Sequence, residues 1–210
     1  QGEWSATVNL ENGTNSFVVW AVDNAGNYTH ETIVINKEYR IFVDVDAAPG
    51  GDGSSWNTAF RSIQDALNKA VSGNEIWVTN GTYYPDRGSR FVEGDANHSF
   101  LVTENVTIRG GFNGNESSID ERRPDNDHTY LSGALQSSGG LRSERICVLN
   151  EGANLYDLSI VSGGSSETEK GGGVIAFGNN TFNNVQFLNN TAIKGGAIHV
   201  ENGGLVNILD

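Results

Sequence analysis

A chain of 210 residues with a formal net charge of −13, its 13 Lys and Arg scattered, lacks the clustered cations that neutralise phosphates, which argues against a nucleic-acid partner. No apolar stretch approaches the roughly 20 residues of a membrane-spanning helix, and the start "QGEWSATV" lacks the basic and apolar regions of a signal peptide, so the sequence reads as a mature or excised soluble piece. The single cysteine, Cys147, excludes an intrachain disulfide framework and a thiolate metal site; inside the apolar run "RICVLN" it is expected to be a small buried hydrophobe.

Residues 1–37 read as antiparallel strands. Trp4, Ala6, Val8 and Leu10 alternate at period two, and "SFVVWAVDNAGNYTHETIVIN" reads as two further strands about an Asp-Asn-Ala-Gly-Asn turn at 23–27. Residues 38–73 carry a strand and the one convincing helix. Phe60, Ile63, Leu67, Ala70 and Val71 place an apolar stripe on one side, with Asn57 or Thr58 expected to cap its start and Gly73 its end. A lone amphipathic helix needs a surface to cover, and the expected one is the open end of a stack of strands, with its unpaired backbone groups.

From residue 74 to 210 short β runs follow one another, among them "EIWVT", "NLYDLSIVSG", "GGVIAF" and "GGAIHV". Three blocks align: Ile146 with Val174 and Ala197, Leu155 with Phe182 and Leu205, and Leu158 with Val185 and Ile208. The apolar positions persist while loop lengths vary, as in a solenoid whose turns bury one another's apolar faces. The glycines before "VIAF" and "AIHV" are expected at corners, and Asn184 is expected to stack over Asn207 in a polar ladder.

At this point the residues carry a resemblance. The closing phrase "AVDNAGN" is similar to the last strands of a bacterial immunoglobulin-like domain; a complete sandwich of that kind needs about seven strands, so residues 1–37 are expected to be a partial domain. The stretches "IFVDVDAAPGGDGSSWNTAFRSIQDAL", "GNEIWVTNGTYYPD" and "VTIRGGFNGNESS" resemble the amino-terminal cap and first coils of right-handed parallel β-helix proteins of the pectin-lyase-like superfamily. "GGAI" (195–198) and "FLNN" (187–190) match the two tetrapeptide signatures of polymorphic outer-membrane protein repeats. Over residues 39–210 the resemblance implies an all-β right-handed parallel β-helix solenoid, with a capping strand and α-helix at 38–73 and coils at 74–210. It also implies an extracellular or cell-surface protein of adhesin or envelope type, mostly without catalysis.

The superfamily also contains polysaccharide lyases and hydrolases, so an enzyme or its carbohydrate-binding fragment is the alternative. Hydrolases of that kind need paired carboxylates, and lyases an acidic calcium cage beside a base; the three aligned blocks have no matching column of Asp or Glu. The densest polar segment, Asp120, Glu121, Arg122, Arg123, Asp125, Asp127 and His128, reads as a solvated, self-paired loop and as the first place to seek ligand contact. Asp44, Asp46 and Asp52 could supply oxygens to Ca²⁺, although Asp and Gly are ordinary turn residues and the spacing is not that of an EF-hand. No other cofactor is expected.

His199 and Glu201 are read as facing opposite sides of a strand. Trp77, Tyr83, Tyr84 and Tyr156 could form a sugar-stacking platform, with core for Trp77 and turn cover for the tyrosines as the plainer reading. Eight asparagines carry the N-x-Ser/Thr pattern: Asn12, Asn27, Asn80, Asn97, Asn105, Asn115, Asn179 and Asn189. Chance predicts about four, so the excess suggests a glycan-bearing surface, against the competing fact that these residue types also build turns. Expected partners are surface glycans and proteins, or further copies of the chain joined head to tail by strand donation into a filament.

Overall fold

The computed structural model describes residues 5–10, 13–37, 39–125, 128–136, 139–201 and 203–210. Backbone contacts divide the chain into two compact units, Gln1–Tyr39 and Arg40–Asp210.

The first unit is a hairpin of β1 (Gly13–Val22) and β2 (Tyr28–Lys37), antiparallel from Val22↔Tyr28 to Gly13↔Lys37. Its turn is set by Asp23, whose carboxylate accepts from the backbone N–H of Ala25 and Asn27, each at 2.9 Å, and from the Asn27 side chain at 2.8 Å. Those Asn27 bonds, side chain first, hold the Asp23 carboxyl below its ordinary range. Trp20 lies opposite His30 with ring centroids 4.6 Å apart, and its diagonal neighbour Tyr28 is at 5.6 Å. The expected strand over 4–10 is corrected: residues 5–10 join no strand, and Trp4 lies outside the described residues. Alternation proposes a strand, but only a ladder with a neighbour makes one.

The second unit is mostly β, with parallel sheets. It begins with β3 (Arg40–Val43) and α1 (Ile63–Lys69), followed by β4 (Glu75–Thr79), β5 (Gly81–Tyr83), β6 (Phe100–Val102) and β7 (Thr107–Phe112). Next come β8 (Thr129–Ser132), β9 (Cys147–Leu149), β10 (Asn154–Val161), β11 (Val174–Phe177), β12 (Asn180–Leu188), β13 (Ile198–Glu201) and β14 (Val206–Leu209). One path runs β3, β4, β7, β10, β12, β14 and a second runs β6, β9, β11, β13, with every pairing parallel. The strand β5 pairs with β8, and β8 with the second half of β10.

This pairing lines up side chains that successive passes bury for one another. Ile41, Ile76, Ile108, Leu155 and Phe182 stand in register, and all five are fully buried. Tyr83, Leu131 and Ile160 form a second column, and Phe100, Cys147 and Val174 a third. In that third column burial pushes the Cys147 thiol far above its ordinary value. Left-handed residues recur in the turn before each pass: Gly73, Asn105, Gly152, Gly178 and Gly203 precede β4, β7, β10, β12 and β14. Both long strands also bend at a left-handed residue, Asp157 in β10 and Asn184 in β12.

The register corrects the sequence alignment in two places. Val174 pairs with Cys147 and Ile198, not with Ile146 and Ala197, because the left-handed glycines Gly171 and Gly195 stand in line three residues before their strands. Phe182 pairs with Leu155, but with Ile208 and not Leu205 on its other side. The connection from β13 to β14 is two residues longer than that from β11 to β12, since Phe177 pairs with Glu201 while Asn180 pairs with Val206. Leu158 does pair with Val185, but Ile208, aligned with them in the sequence, stands opposite Phe182 and not Val185.

Polar side chains tie the passes together as well. Asn190 of the "FLNN" phrase accepts from Gly163 N–H and donates to the Ile160 carbonyl, both at 2.8 Å, while Phe187 of the same phrase packs edge-on against Phe182. Asn180 donates to the carbonyls of Asn150 and Ala153 at 2.7 and 2.9 Å. The ladder of Asn184 over Asn207 is not formed: Asn207 pairs with Thr181, and Asn184 donates to Asp157 at 3.0 Å. The helix is also shorter than the apolar stripe. Its N-cap is Ser62, whose hydroxyl accepts from Asp65 N–H, and its C-cap is Ala70, while Asn57 and Thr58 lie in a separate 3₁₀ turn and Gly73 in the next corner. Ile63, Ala66 and Leu67 are its buried apolar residues, and it packs against β3, β4 and β6.

Candidate functional site

Two concave surfaces of the second unit adjoin one another on one flank of α1. One hollow, of about 420 Å³, lies between Val45, the start of α1, β5 and the loop after it. The other, of about 430 Å³, lies between the glycine turn Pro49–Gly51, Phe60 and the far end of α1. Arg61 and Asp65 line both, so the two form one trough.

Its walls are built by bonds from α1 to segments distant in sequence. Asp65 accepts from Ser89 N–H at 2.9 Å, from Ser89 Oγ at 2.6 Å and from Ser62 Oγ at 3.0 Å. Buried Gln64 donates to the carbonyls of Pro85 at 2.6 Å and Ser99 at 3.1 Å, clamping both ends of the 85–99 loop to the helix. Tyr83 closes the floor: its hydroxyl receives Val45 N–H at 3.2 Å and lies 2.9 Å from Thr79 Oγ1, and burial pushes its pKa well up. Tyr84 is half-buried, and its hydroxyl accepts from Gln136 at 2.8 Å.

The charge balance of the trough is opposite to that of the chain. Arg61, Lys69, Arg87 and Arg90, four of the 13 cations, line it, against Asp65 and Glu93. Arg87 is neutralised by Glu93. Arg61 and Arg90 are exposed and belong to no ion pair among the described residues. Lys69 donates to the Asp52 carbonyl at 2.6 Å.

Asp120, Glu121, Arg123, Asp125 and His128 of the polar segment are exposed, and Glu121 accepts from Ser117 N–H at 2.9 Å, in keeping with a solvated, self-paired loop. Buried Glu116 accepts from three consecutive backbone N–H groups, Asn113, Gly114 and Asn115, at 2.6 to 3.0 Å. Arg122 is paired with the half-buried Asp157 of β10. Asp125 and His128 line a small polar hollow of about 110 Å³ with Asp157 and Asn184, and Asp127 lies outside the described residues.

The calcium candidates are not brought together. Among the described residues no three His, Cys, Asp or Glu side chains are placed to hold a metal ion. Asp44 accepts from Asp46 N–H at 3.0 Å and from Thr79 at 3.2 Å, whereas Asp52 closes its own turn onto Ser54 at 2.7 Å. The Asp44 and Asp52 carboxylates each accept from a backbone N–H two residues on, the commoner use of Asp in such phrases. The aromatic platform is not formed either, since Trp77 and Tyr83 are buried. Trp77 stacks on Phe112 at 4.4 Å beneath Trp56 and the Arg40 guanidinium, and Tyr156 lies under Arg109 at 4.1 Å. His199 and Glu201 face the same side of β13, with Nε2 and Oε1 3.4 Å apart, as residues two apart on a strand must. Asn27, Asn80, Asn97, Asn105, Asn115, Asn179 and Asn189 are all exposed, and Asn12 lies outside the described residues.

No family model, curated protein or solved structure matches the chain. The reading of the site therefore stands on its geometry. Sequence reasoning missed the trough because its walls come from residues 45 to 136; the clustering of Arg61, Lys69, Arg87 and Arg90 within thirty positions was the one signal available.

Proposed function

We propose that residues 40–210 form a right-handed parallel β-helix with β3 and α1 as its cap, and that the chain serves as a non-catalytic structural or adhesive protein of an extracellular surface. The observation that carries this reading is the buried column Ile41–Ile76–Ile108–Leu155–Phe182, in which each pass hides the apolar face of the last and extension costs no new architecture. Such a stack is stiff along its axis and offers long lateral faces for contact. The two signature phrases support the same reading: Asn190 pins one pass to the next, and left-handed Gly195 turns the chain into β13. Exposure of all seven described sequon asparagines favours a surface able to carry glycans. The hairpin of the first unit is assigned, within the same proposal, to an immunoglobulin-like module.

The test has two arms. Antibodies against residues 40–210 should label intact cells of the source organism, and the purified chain should release neither unsaturated products nor reducing ends from uronate polymers with Ca²⁺ present. Labelling confined to lysed cells would overturn the surface assignment, and turnover would overturn the non-catalytic one.

A further inference from the structure

We infer that the open face of the second unit, bounded by β13, β14 and the second half of β12, pairs with the same face of a second copy to give a two-fold dimer. The two ends of the strand stack are built differently. At the first, the outer edge of β3 is already taken: Phe42 N–H donates to the Gly53 carbonyl at 3.0 Å, and Phe60 N–H donates to the Phe42 carbonyl at 2.9 Å. The helix α1 packs over β3, β4 and β6 there, and the inward side chains Ile41, Val43, Phe100 and Val102 are fully buried. At the other end, β13 pairs with β11 alone and β14 with β12 alone among the described residues. Val200 stands in register with fully buried Ala176, and Ile208 with fully buried Phe182, yet they are 37 % and 62 % exposed. Each column thus reaches this face with an apolar side chain that no further pass covers.

Three observations make a second copy the occupant. The first is charge. Residues 171–210 hold three charged side chains, Lys194, Glu201 and Asp210, in a chain with 13 Lys and Arg and 26 Asp and Glu, and Glu201 is paired with Lys170 at 2.6 Å. Two such faces can approach without the repulsion that a net charge of −13 imposes elsewhere. The second is the character of the edges. Edge strands that stay single are commonly blunted by Lys, Pro or a bulge, whereas β13 reads Ile-His-Val-Glu and β14 Val-Asn-Ile-Leu. Their outward N–H and C=O groups are matched by an identical edge running antiparallel across a two-fold axis. The third is area. Exposed Val200, Leu205, Ile208 and Leu209, with half-buried Phe187 and Ile198, lie on or beside this face. They present roughly 500 Å² of apolar surface per copy, so a pair of faces removes about 1,000 Å² from water, where specific interfaces begin. That size fits a weak dimer, with a Kd on the order of 10 µM. Because the first end is capped and a two-fold contact closes on itself, association stops at two copies.

This inference goes beyond the surface reading and is independent of where the protein resides. The test is sedimentation equilibrium of the full chain between about 1 and 100 µM, with a monomer expected at the lower limit, a dimer at the upper and nothing larger. I208K and L205K each place a charge on an exposed position of the face. Either variant should weaken the dimer by about 10- to 100-fold while keeping the parent's unfolding midpoint at about 1 µM. N57K, on an exposed residue of the turn that caps β3, should dimerise as the parent does. A parent chain still monomeric at about 100 µM, or a folded lysine variant of the open face that dimerises equally well, would overturn the inference. So would loss of the dimer in N57K, or assemblies that keep growing with concentration, since both are marks of head-to-tail contact.

Discussion

At the scale of single residues, side chains were legible where their partners are local. Asp23 and Gly26 in the hairpin turn, Gly171 and Gly195 before their strands, and Cys147 in its apolar run all behave as their neighbours in sequence dictate. Polar residues whose partners lie on another pass were not legible. Asn190 is the sharpest case, because its amide serves a donor and an acceptor about thirty positions earlier. Asn190→Ala leaves both Gly163 N–H and Ile160 C=O without that partner, so a loss of about 1–3 kcal/mol is expected in urea unfolding. A cost below about 0.5 kcal/mol would mean that water replaces the amide. Glu75 gives a pH dependence of known sign. Burial alone would raise its pKa, but hydrogen bonds from Trp77 and Arg109 and the charges of Arg109 and Arg40 outweigh it and hold the carboxyl below its ordinary range. A folded pKa below the unfolded one, about 4.3, means a contribution fully present above that pH and lost as pH falls through the folded value. Between pH 6 and pH 3 Glu75→Gln should therefore lose less stability than the parent chain. Equal losses would show that the Glu75–Arg109 pair, 2.8 Å apart, contributes nothing net.

At the scale of elements, strand identity followed from short apolar runs bounded by turn residues, and "EIWVT" and "VIAF" became β4 and β11. Register did not follow, because apolar spacing leaves the length of each corner open. A one-residue shift at the start of β13 and a corner longer by two residues together moved Phe182 from Leu205 to Ile208, and the helix stripe overran α1 because Phe60 and Val71 belong to the flanking chain. Burial along one column predicts a graded response to truncation. Leu155 is fully buried and Ile208 is 62 % exposed at the same column position. Leu155→Ala should cost about 2–5 kcal/mol, and Ile208→Ala about 0.5 kcal/mol or less, measured as unfolding free energies. Equal costs would contradict the observed column.

At the scale of the whole chain, a net charge of −13 implies self-repulsion that salt relieves. The unfolding midpoint should accordingly rise between about 0.02 and 0.5 M NaCl; a fall would mean that ion pairs such as Arg122–Asp157 outweigh the repulsion. The amino-acid sequence by itself determined that the chain is built of short strands with glycine and asparagine corners, that one amphipathic helix accompanies them, and that the chain carries a large negative net charge. Those properties are local or additive: period, turn chemistry and charge need no neighbour to be read. Only the tertiary structure decided which residues stand in one column, that Trp77 is covered while Arg61 and Arg90 are open, and that four cations share one trough. Such features arise from chain segments tens of residues apart, brought together by corner lengths that apolar periodicity does not encode.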